Sequence, residues 1–522
     1  MTADNSASDH GAHELAEIER EIFARRPEHS IDPSLDRIIA LTSLLGDPQR
    51  AYPVIHITGT NGKTSTARMT ETLLRLRGLR TGLFTSPHLT TIRERICLDG
   101  EPLSEERFVE VYREIEPYLK LVDAEQPVRL SFFEVLVGMA FAAFADAPVD
   151  VAVIEVGMGG TWDNTNVADG AVAVVTPISI DHAQFLGNTV EAIAADKAGI
   201  IKPGAVAVLG QQPVDAAAQL LRRAVKVGAS VAREGIEFGV ISRELAVGGQ
   251  NLAIRGLLGE YHDLFLPLFG SYQAANAACA LAAVEAFSGA AGTPSPSENG
   301  SGDQDWEDRD WDDPDSEFEG AGGPGELRLA PASMPSVAVP GTGSLDPEMV
   351  RTAFALMTSP GRLEIVRRSP VVVVDAAHNP AGMAATVGAV NESFGAAEVI
   401  AVLAVSADKD VAGILGELEP LAAAVVLTTN SSPRAMRAAE LAALAAPVFG
   451  PDRVHVAERL DDAIEIAVGL ADEASAEIAG PLAGLLSDAS DAQVATAGTL
   501  VLIAGSVVTA GDAKILLSRG SR

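Results

Sequence analysis

The sequence predicts two α/β domains, each built on a mostly parallel sheet. Short apolar runs rich in Val and Ile alternate with helical patterns along both halves of the 522-residue chain. Continuous apolar strands separated by helices are typical of parallel sheets covered on both faces. A Gly- and Pro-rich acidic stretch without an apolar period separates the halves. We therefore expect an N-terminal domain over residues 1–287, a disordered acidic insertion over 288–344, a linker over 345–359 and a C-terminal domain over 360–522.

The individual elements follow from these patterns. In the first half, strands are predicted at 54–57, 81–85, 149–156, 171–176 and 205–209, and helices at 66–77, 132–144 and 190–198. In the second half, strands are predicted at 371–374, 399–405, 425–428, 454–456 and 500–503, separated by helices rich in Ala and Leu.

Composition excludes several classes of protein. The 71 acidic residues exceed the 38 basic ones by 33, and this negative charge disfavours nucleic-acid binding. Two cysteines cannot form a disulfide framework. The N-terminal residues lack the apolar region of a signal peptide, and the longest apolar stretch, 135–145, is too short to span a membrane. We expect a soluble cytoplasmic protein.

A Gly-rich turn, residues 58–65, follows the first predicted strand and precedes a predicted helix. Gly59 and Gly62 allow the backbone to come close to an anion, and the start of the helix presents free amide groups to it. The Lys63 ammonium would meet the β- and γ-phosphates, and a hydroxyl at Thr64 or Ser65 would serve Mg²⁺. The spacing is not that of the Walker A pattern, because Ile57 stands where that pattern has its first Gly. Such turns also arise by chance, but the flanking strand and helix favour nucleotide binding.

Further polar segments follow the next strands: residues 85–88, 155–160, 179–182 and 196–199. Ligands of parallel α/β sheets bind beyond the carboxyl ends of the strands, so we expect these segments to converge beside the phosphate loop. Glu155 directly follows an apolar run, where an ionised carboxylate needs a partner. A mixed oxygen and imidazole set near phosphate suits Mg²⁺ or Mn²⁺. Taken alone, His182 is also explained as a core or capping histidine.

Ten motifs together carry a resemblance to a known family. In order they are IHITGTNGKTS (55–65), FTSPHL (84–89), LSFFE (130–134), EVGMGGTWDNTN (155–166), SIDH (179–182), DKAGIIKPG (196–204), SYQAANAACA (271–280), PGRLE (360–364), DAAHNP (375–380) and SADKD (406–410). This set resembles the folylpolyglutamate synthase/dihydrofolate synthase family of the Mur-ligase-like ATP-dependent amide ligases. The resemblance implies an N-terminal P-loop ATPase-like domain with a mostly parallel sheet and a smaller C-terminal Rossmann-like α/β domain.

The resemblance also implies the reaction. ATP phosphorylates a substrate carboxylate, and the amine of L-glutamate then displaces phosphate from the acyl phosphate to form an amide. The carboxylate belongs to dihydropteroate or to the terminal glutamate of a reduced folate, and one enzyme can use both. The binding partners would then be small-molecule substrates, and we expect binding neither to nucleic acid nor to a membrane. We also expect a monomer.

The family pattern assigns roles to residues of this chain. The ATP contacts would be Thr60, Asn61, Gly62, Lys63, Thr64, Ser65, Asn276, Arg362 and Asp375. The Mg²⁺ ligands would be Ser86, Glu155 and His182, and two Mg²⁺ sites are possible. The catalytic residues would be Lys63, Lys197 and His378. Lys197 matches a lysine that becomes carbamylated, which requires a neutral amine that reacts with CO₂. Its alternative is an unmodified lysine paired with phosphate or Glu155. The alternative for Asp375 is a helix N-cap.

The pterin contacts implied by the resemblance are Asp32, Pro33, Ser131, Phe133, Trp162, Asp163 and Asn164. The rings of Phe133 and Trp162 would pack on a flat ring system, unless they are ordinary core aromatics.

The sequence departs from the family at three places. Thr161 stands where the family has an Arg after the paired glycines, Thr64 stands where it often has Gly, and the acidic stretch is inserted. The alternatives are a peptidoglycan-precursor ligase, a phosphotransferase using the phosphate loop alone, and a non-catalytic scaffold. The 57 residues before Thr58 are too few for the extra domain of the first, and the motifs PGRLE and DAAHNP of the second half argue against the second. The scaffold is disfavoured because Lys63, Glu155, His182 and Lys197 are intact.

Overall fold

The computed structural model describes residues 4–27, 30, 32–290, 344–482 and 498–519. Its strands are β1 Val54–Thr58, β2 Thr81–Phe84, β3 Ile96–Leu98, β4 Glu101–Pro102, β5 Val151–Glu155, β6 Gly170–Val175, β7 Val206–Leu209, β8 Ser230–Arg233, β9 Gly239–Ala246, β10 Gly249–Arg255, β11 Glu260–Leu266, β12 Glu364–Arg368, β13 Val371–Val374, β14 Glu398–Leu403, β15 Ala422–Leu427, β16 Val454–Val456 and β17 Thr499–Ala504. Its helices are α1 Asp4–Phe23, α2 Asp36–Leu44, α3 Lys63–Leu76, α4 Glu105–Glu125, α5 Phe132–Asp146, α6 Ala183–Leu186, α7 Val190–Lys197, α8 Val214–Val227, α9 Ser271–Ala290, α10 Pro347–Leu356, α11 Pro380–Phe394, α12 Val411–Leu418, α13 Ala438–Phe449, α14 Leu460–Leu482 and α15 Val507–Arg519.

The first domain is built on an eight-stranded sheet with the order β4-β3-β2-β5-β1-β6-β7-β8. The strands from β2 to β8 along this order run parallel, and β3 and β4 add an antiparallel edge. Helices α3 and α9 pack together on one face, and α4 and α5 cover the other. Their buried apolar side chains form two cores, which explains why the central strands are apolar throughout.

The second domain is built on a six-stranded sheet with the order β12-β13-β17-β14-β15-β16, in which only β12 is antiparallel. Apolar cores lie on both of its faces. The α/β fold class is confirmed, with two mostly parallel sheets. None of the helices in the described residues has the length and apolar content needed to cross a membrane.

Some local predictions need correction. The sequence analysis missed the antiparallel sheet β11-β10-β9 and the edge strands β3, β4 and β12. Helix α9 continues to Ala290, so residues 288–290 are helical and do not belong to the insertion. The predicted linker 345–359 contains α10, whose Asp346 N-cap accepts hydrogen bonds from the first turn. The remainder of the predicted insertion, 291–343, lies outside the described residues.

Candidate active site

The phosphate loop lies at the carboxyl end of β1, in the middle of the first sheet. β1 pairs with β5 on one side and with β6 on the other, so three strand ends open at one place. Gly59 and Gly62 have φ angles of +145° and +90°, and a Cβ at Gly62 would collide with the side chain of Asn276. Glycine is therefore required at these positions, and the backbone can come close to an anion at the start of α3.

Lys63 begins α3, and its ammonium turns back over the loop. Nζ donates to the carbonyl oxygens of Gly59 and Thr60, each at 3.2 Å. Burial lowers the pKa of Lys63, whereas the nearby carboxylates of Glu155 and Asp181 raise it. The ammonium thus lies at the loop, where the oxygens of a phosphate group could replace these two carbonyl oxygens as its hydrogen-bond acceptors.

Glu155 ends β5 and is 1% exposed. Its Oε1 accepts from Thr64 Oγ1 at 2.8 Å, and its Oε2 accepts from the Ser86 amide at 3.1 Å. Burial raises the pKa of this carboxyl, and the Lys63 ammonium opposes the rise. A buried carboxylate with so few partners is suited to a cation.

His182 follows β6 in the left-handed conformation, with φ at 51°. Burial lowers the pKa of the imidazole to about 3, so the ring is neutral at pH 7 and can act as a metal ligand. Within the described ranges, no three Asp, Glu, His or Cys side chains converge to hold a metal by themselves. Mg²⁺ keeps waters and substrate phosphates among its ligands, so Ser86, Glu155 and His182 fit a magnesium ion that arrives with a nucleotide.

Lys197 ends α7 and is 4% exposed. Its Nζ donates to the Gly59 carbonyl at 2.8 Å. Burial lowers its pKa to about 7, and the positive charge of Lys63 adds to the effect. A large fraction of this amine is therefore neutral at physiological pH.

These groups face one cavity of about 310 Å³ at the mouth of the sheet. Lys63, His182 and Lys197 of the first domain line it together with His378 of the second. The predicted catalytic residues Lys63, Lys197 and His378 thus line one cavity together with the predicted metal ligand His182, and Glu155 lies near Lys63. Positive and imidazole groups around so small a space suit a reacting phosphate.

A second cavity of about 890 Å³ lies between the two domains on the other side of the phosphate loop. Of the predicted ATP contacts, its lining includes Asn61, Gly62, Ser65, Asn276, Arg362 and Asp375. Tyr272 and Thr386 also line it and were missed by the sequence analysis. Ser65 Oγ and Ser359 Oγ lie 2.8 Å apart and link the phosphate loop to the start of the second domain.

Asp375 follows β13 and organises its surroundings. Oδ1 accepts from the Ala377 amide at 2.8 Å and from Thr386 Oγ1 at 2.9 Å, and Oδ2 accepts from the Leu363 amide at 2.9 Å. The N-cap of α11 is Asn379, so the alternative assignment of Asp375 as the N-cap is wrong.

A third cavity, with about 590 Å³ of empty space that is partly open to solvent, adjoins the first cavity. We call the first cavity, lined by Lys63, His182, Lys197 and His378, the reaction cavity. Gly157 and Met158 line both. Of the predicted pterin contacts, its lining includes Asp32, Ser131, Phe133, Trp162, Asp163 and Asn164. Pro33 is exposed and does not line this cavity, so its predicted contact is not supported.

Two of these residues have structural contacts as well. Phe133 packs against Phe84 with ring centroids 5.8 Å apart, so it is both a core aromatic and a cavity wall. The carboxylate of Asp163 accepts from the Met158 amide at 2.9 Å and from the Thr165 amide at 3.0 Å. Asp163 therefore fixes the loop that separates the two cavities.

The sequence analysis missed the charged side of the third cavity. Arg26, Arg37 and Glu134 line it, and Arg37 Nε donates to Glu134 Oε1 at 2.9 Å in a buried ion pair. Arg26 and Arg37 also hold Asp32 at 3.0 and 2.9 Å. Glu134 falls within the LSFFE motif, but nothing local marks the two arginines, which precede the phosphate loop by more than twenty residues.

Thr161, which departs from the family pattern, is not among the residues that line these three cavities. Its Oγ1 donates to the Asp196 carbonyl at 2.8 Å, and its amide donates to the same oxygen at 3.0 Å. Thr161 therefore holds the end of α7 beside Lys197 and supplies no positive charge to the site.

A phosphate loop beside a buried carboxylate, with a cavity between it and a second α/β domain, is the arrangement that the resemblance to the Mur-type ligases implies. Two family models agree with this class: the Mur ligase middle domain matches residues 125–284, and the Mur ligase glutamate ligase domain matches residues 361–478. Together they include most of the residues that line the three cavities.

Similarities to individual proteins narrow this class to one family. The chain is 46% identical over 518 residues to a dihydrofolate synthase/folylpolyglutamate synthase of Mycobacterium tuberculosis, covering 97% of this chain and 94% of the relative. The structure of Mycobacterium tuberculosis folylpolyglutamate synthase complexed with ADP matches with a TM-score of 0.81 and 45% identity, over 98% of this chain and 99% of that one. Escherichia coli FolC in complex with DHPP and ADP matches with a TM-score of 0.73 and 26% identity, over 97% and 98%. The chain belongs to the dihydrofolate synthase/folylpolyglutamate synthase family of ATP-dependent ligases.

Proposed function

We propose that this enzyme adds L-glutamate to the carboxylate of dihydropteroate and to the terminal glutamate of reduced folates. The products are an amide, ADP and phosphate, and the carboxylate is activated as an acyl phosphate. The observation that carries the proposal is the order of the three cavities. The second cavity, here called the interdomain cavity, adjoins the phosphate loop, and the reaction cavity is lined by Lys63. The third cavity, here called the aromatic cavity, shares Gly157 and Met158 with the reaction cavity.

This order matches the chemistry that the reaction requires. ATP would lie between the domains, with Asn276, Arg362 and Asp375 around it and its phosphates on Thr60 to Ser65. The γ-phosphate would reach Lys63, where a folate carboxylate entering from the aromatic cavity can attack it. Two anions must be held together, so the Lys63 ammonium at the phosphate loop lowers the cost of their approach.

Mg²⁺ held by Ser86, Glu155 and His182 would neutralise phosphate charge during transfer. Glu155 contributes a carboxylate fixed by Thr64 and Ser86, and His182 contributes a neutral ring. The chain therefore orients its own ligands before nucleotide arrives.

Lys197 would carry a carbamate. Its neutral amine attacks the carbon of CO₂ and loses a proton, so a positive group becomes an anion beside Lys63. The low exposure of Lys197 and its depressed pKa support this modification. The alternative, an unmodified lysine bound to phosphate, requires the amine to regain its proton in a site that disfavours the charge.

Aromatic and polar groups of the third cavity would select the pterin. The rings of Phe133 and Trp162 offer flat apolar surface, and Asp32, Ser131 and Asn164 offer hydrogen-bonding groups at its rim. We also propose that the enzyme acts as a monomer. We propose further that it is cytoplasmic, in keeping with its similarity to a bacterial member of the family.

The test is a phosphate-release assay with purified enzyme, ATP and Mg²⁺, in which dihydropteroate, a reduced folate and L-glutamate are added singly and in pairs. Release that requires both a folate-type acceptor and L-glutamate is expected. Release that needs neither would favour a phosphotransferase or ATPase and would overturn the proposal.

A further inference from the structure

Asp181 is a buried carboxylate of the first domain whose partners lie mostly in the second. Its Oδ1 accepts from Lys409 Nζ at 2.7 Å, and its Oδ2 accepts from Asn379 Nδ2 at 3.0 Å. The ring nitrogen Nε2 of His378 lies 3.6 Å from Oδ2. Sequence separations of about 200 residues and more make each of these a contact between domains.

The pair between Asp181 and Lys409 lies inside the cleft, with side chains 9% and 11% exposed. Charges withdrawn from water to this extent are stable only while both partners are present. The separation of the two domains would leave each charge without its partner. The ion pair therefore favours the arrangement in which the strand ends of both sheets face each other.

The same contacts fix groups that line the reaction cavity. Asn379 caps α11 and also donates to Asn61 Oδ1 of the phosphate loop at 3.2 Å. His378 precedes it and lines the cavity with Asp181. Asp181 thus orients one turn of the second domain against the phosphate loop of the first.

Both oxygens of Asp181 are committed to these partners. Oδ1 also accepts from the His182 amide at 2.8 Å, so the carboxylate has several donors besides any metal. This distinguishes it from Glu155, whose two oxygens accept only from Thr64 and Ser86 among the described residues.

We infer that Asp181 is a positioning residue that holds the two domains closed and places Lys409 and His378 at the reaction centre. This role rests on the proposed function, because it concerns the geometry of the same site. Closure should matter most for the nucleotide, whose cavity is built from both domains. It should matter least for the pterin, whose cavity is lined by residues of the first domain.

The test compares Asp181→Asn, Lys409→Met and the double variant with a matched control, Glu392→Gln. Glu392 pairs with Arg243 across the outer rim of the same interface, with side chains 35% and 17% exposed. ADP with Mg²⁺ and dihydropteroate are titrated separately by calorimetry, and small-angle scattering reports the separation of the domains. None of these measurements needs turnover, so they remain informative if the phosphate-release assay of the wild type fails.

We expect Asp181→Asn to weaken ADP binding by about tenfold or more, because a buried charge pair has lost one partner. The radius of gyration of the free protein should increase, dihydropteroate binding should stay as in the wild type, and Glu392→Gln should change none of these quantities. The double variant should bind ADP no more weakly than whichever single variant has the lower affinity, because Asp181→Asn and Lys409→Met remove the same interaction.

Three results would overturn the inference. One is an Asp181→Asn protein with wild-type ADP binding and scattering. Another is equal loss of ADP and dihydropteroate binding with a lowered melting temperature, which would indicate a local folding defect. The last is recovery of ADP binding at raised Mg²⁺ concentration, which would make Asp181 a metal ligand.

Discussion

Replacement of Lys197 by Ala removes a buried amine whose pKa the fold lowers strongly. Burial and the charge of Lys63 lower its pKa from 10.5 to about 7. At pH 7 about half of the amines are then neutral, whereas a lysine with an ordinary pKa is neutral in roughly one molecule in 3,000. The fraction able to react with CO₂ is therefore raised by about a thousandfold.

The pH dependence follows from the direction of this shift. At constant dissolved CO₂, the rate of carbamate formation should rise as the pH passes through about 7 and level off roughly one unit higher, where the amine is already neutral. Carbamate loading at equilibrium should keep rising with pH until the site is saturated, because each carbamate formed releases a proton. Loading should fall below that pH, because protonation removes the attacking lone pair.

The assay is carbon-13 NMR of the enzyme equilibrated with labelled bicarbonate, together with turnover in buffer with and without CO₂. Lys197→Ala should lose the carbamate signal, and its turnover should fall by about 10²–10³-fold, the loss typical for a group that stabilises transition-state charge. The control is Lys202→Ala. Lys202 is another lysine whose pKa burial lowers, but its Nζ donates to the Asn166 carbonyl outside the reaction cavity. Full turnover in CO₂-free buffer, or a signal that persists in Lys197→Ala, would refute the reasoning.

The other predictions concern the phosphate loop, the aromatic cavity and the insertion. Lys63→Ala should reduce ATP-dependent turnover by about 10²-fold or more with an unchanged melting temperature, and wild-type turnover would contradict its phosphate role. Trp162→Ala should raise the KM for dihydropteroate about tenfold through lost apolar contact while the Kd for ADP stays the same; a change in ADP binding alone would show that the cavities are misassigned. Replacement of residues 291–343 by a short Gly/Ser bridge should leave kcat and KM unchanged, since Leu345 remains anchored by the Tyr261 hydroxyl at 2.9 Å, and lost activity would give the segment a catalytic role.

Local sequence patterns were sufficient for the central strands and the phosphate loop. Strand β13 has the predicted bounds, because buried sheet strands are short, continuous apolar runs flanked by polar turns. The placement of Glu155 at the end of β5 follows from the same pattern, since parallel pairing with β1 brings it to the phosphate loop. The family resemblance carried by the motifs then implied most of the residues that are found lining the three cavities.

Other features depend on tertiary contacts that leave no local signal. Most residues of strand β9 are exposed and several are polar, so it lacks the apolar run that marks a central strand. Arg37 lies on a short helix, and only folding reveals its buried ion pair with Glu134. The pair between Asp181 and Lys409 joins residues 228 positions apart in different domains, which no spacing within either segment could predict.

The central claim is that a folate carboxylate is activated by phosphoryl transfer from ATP before L-glutamate attacks. Dihydropteroate labelled with oxygen-18 in its carboxylate tests this directly, because one carboxylate oxygen must leave with the phosphate. We predict one labelled oxygen in each phosphate released during turnover with ATP, Mg²⁺ and L-glutamate. Unlabelled phosphate from a reaction that consumes dihydropteroate and L-glutamate would contradict the claim.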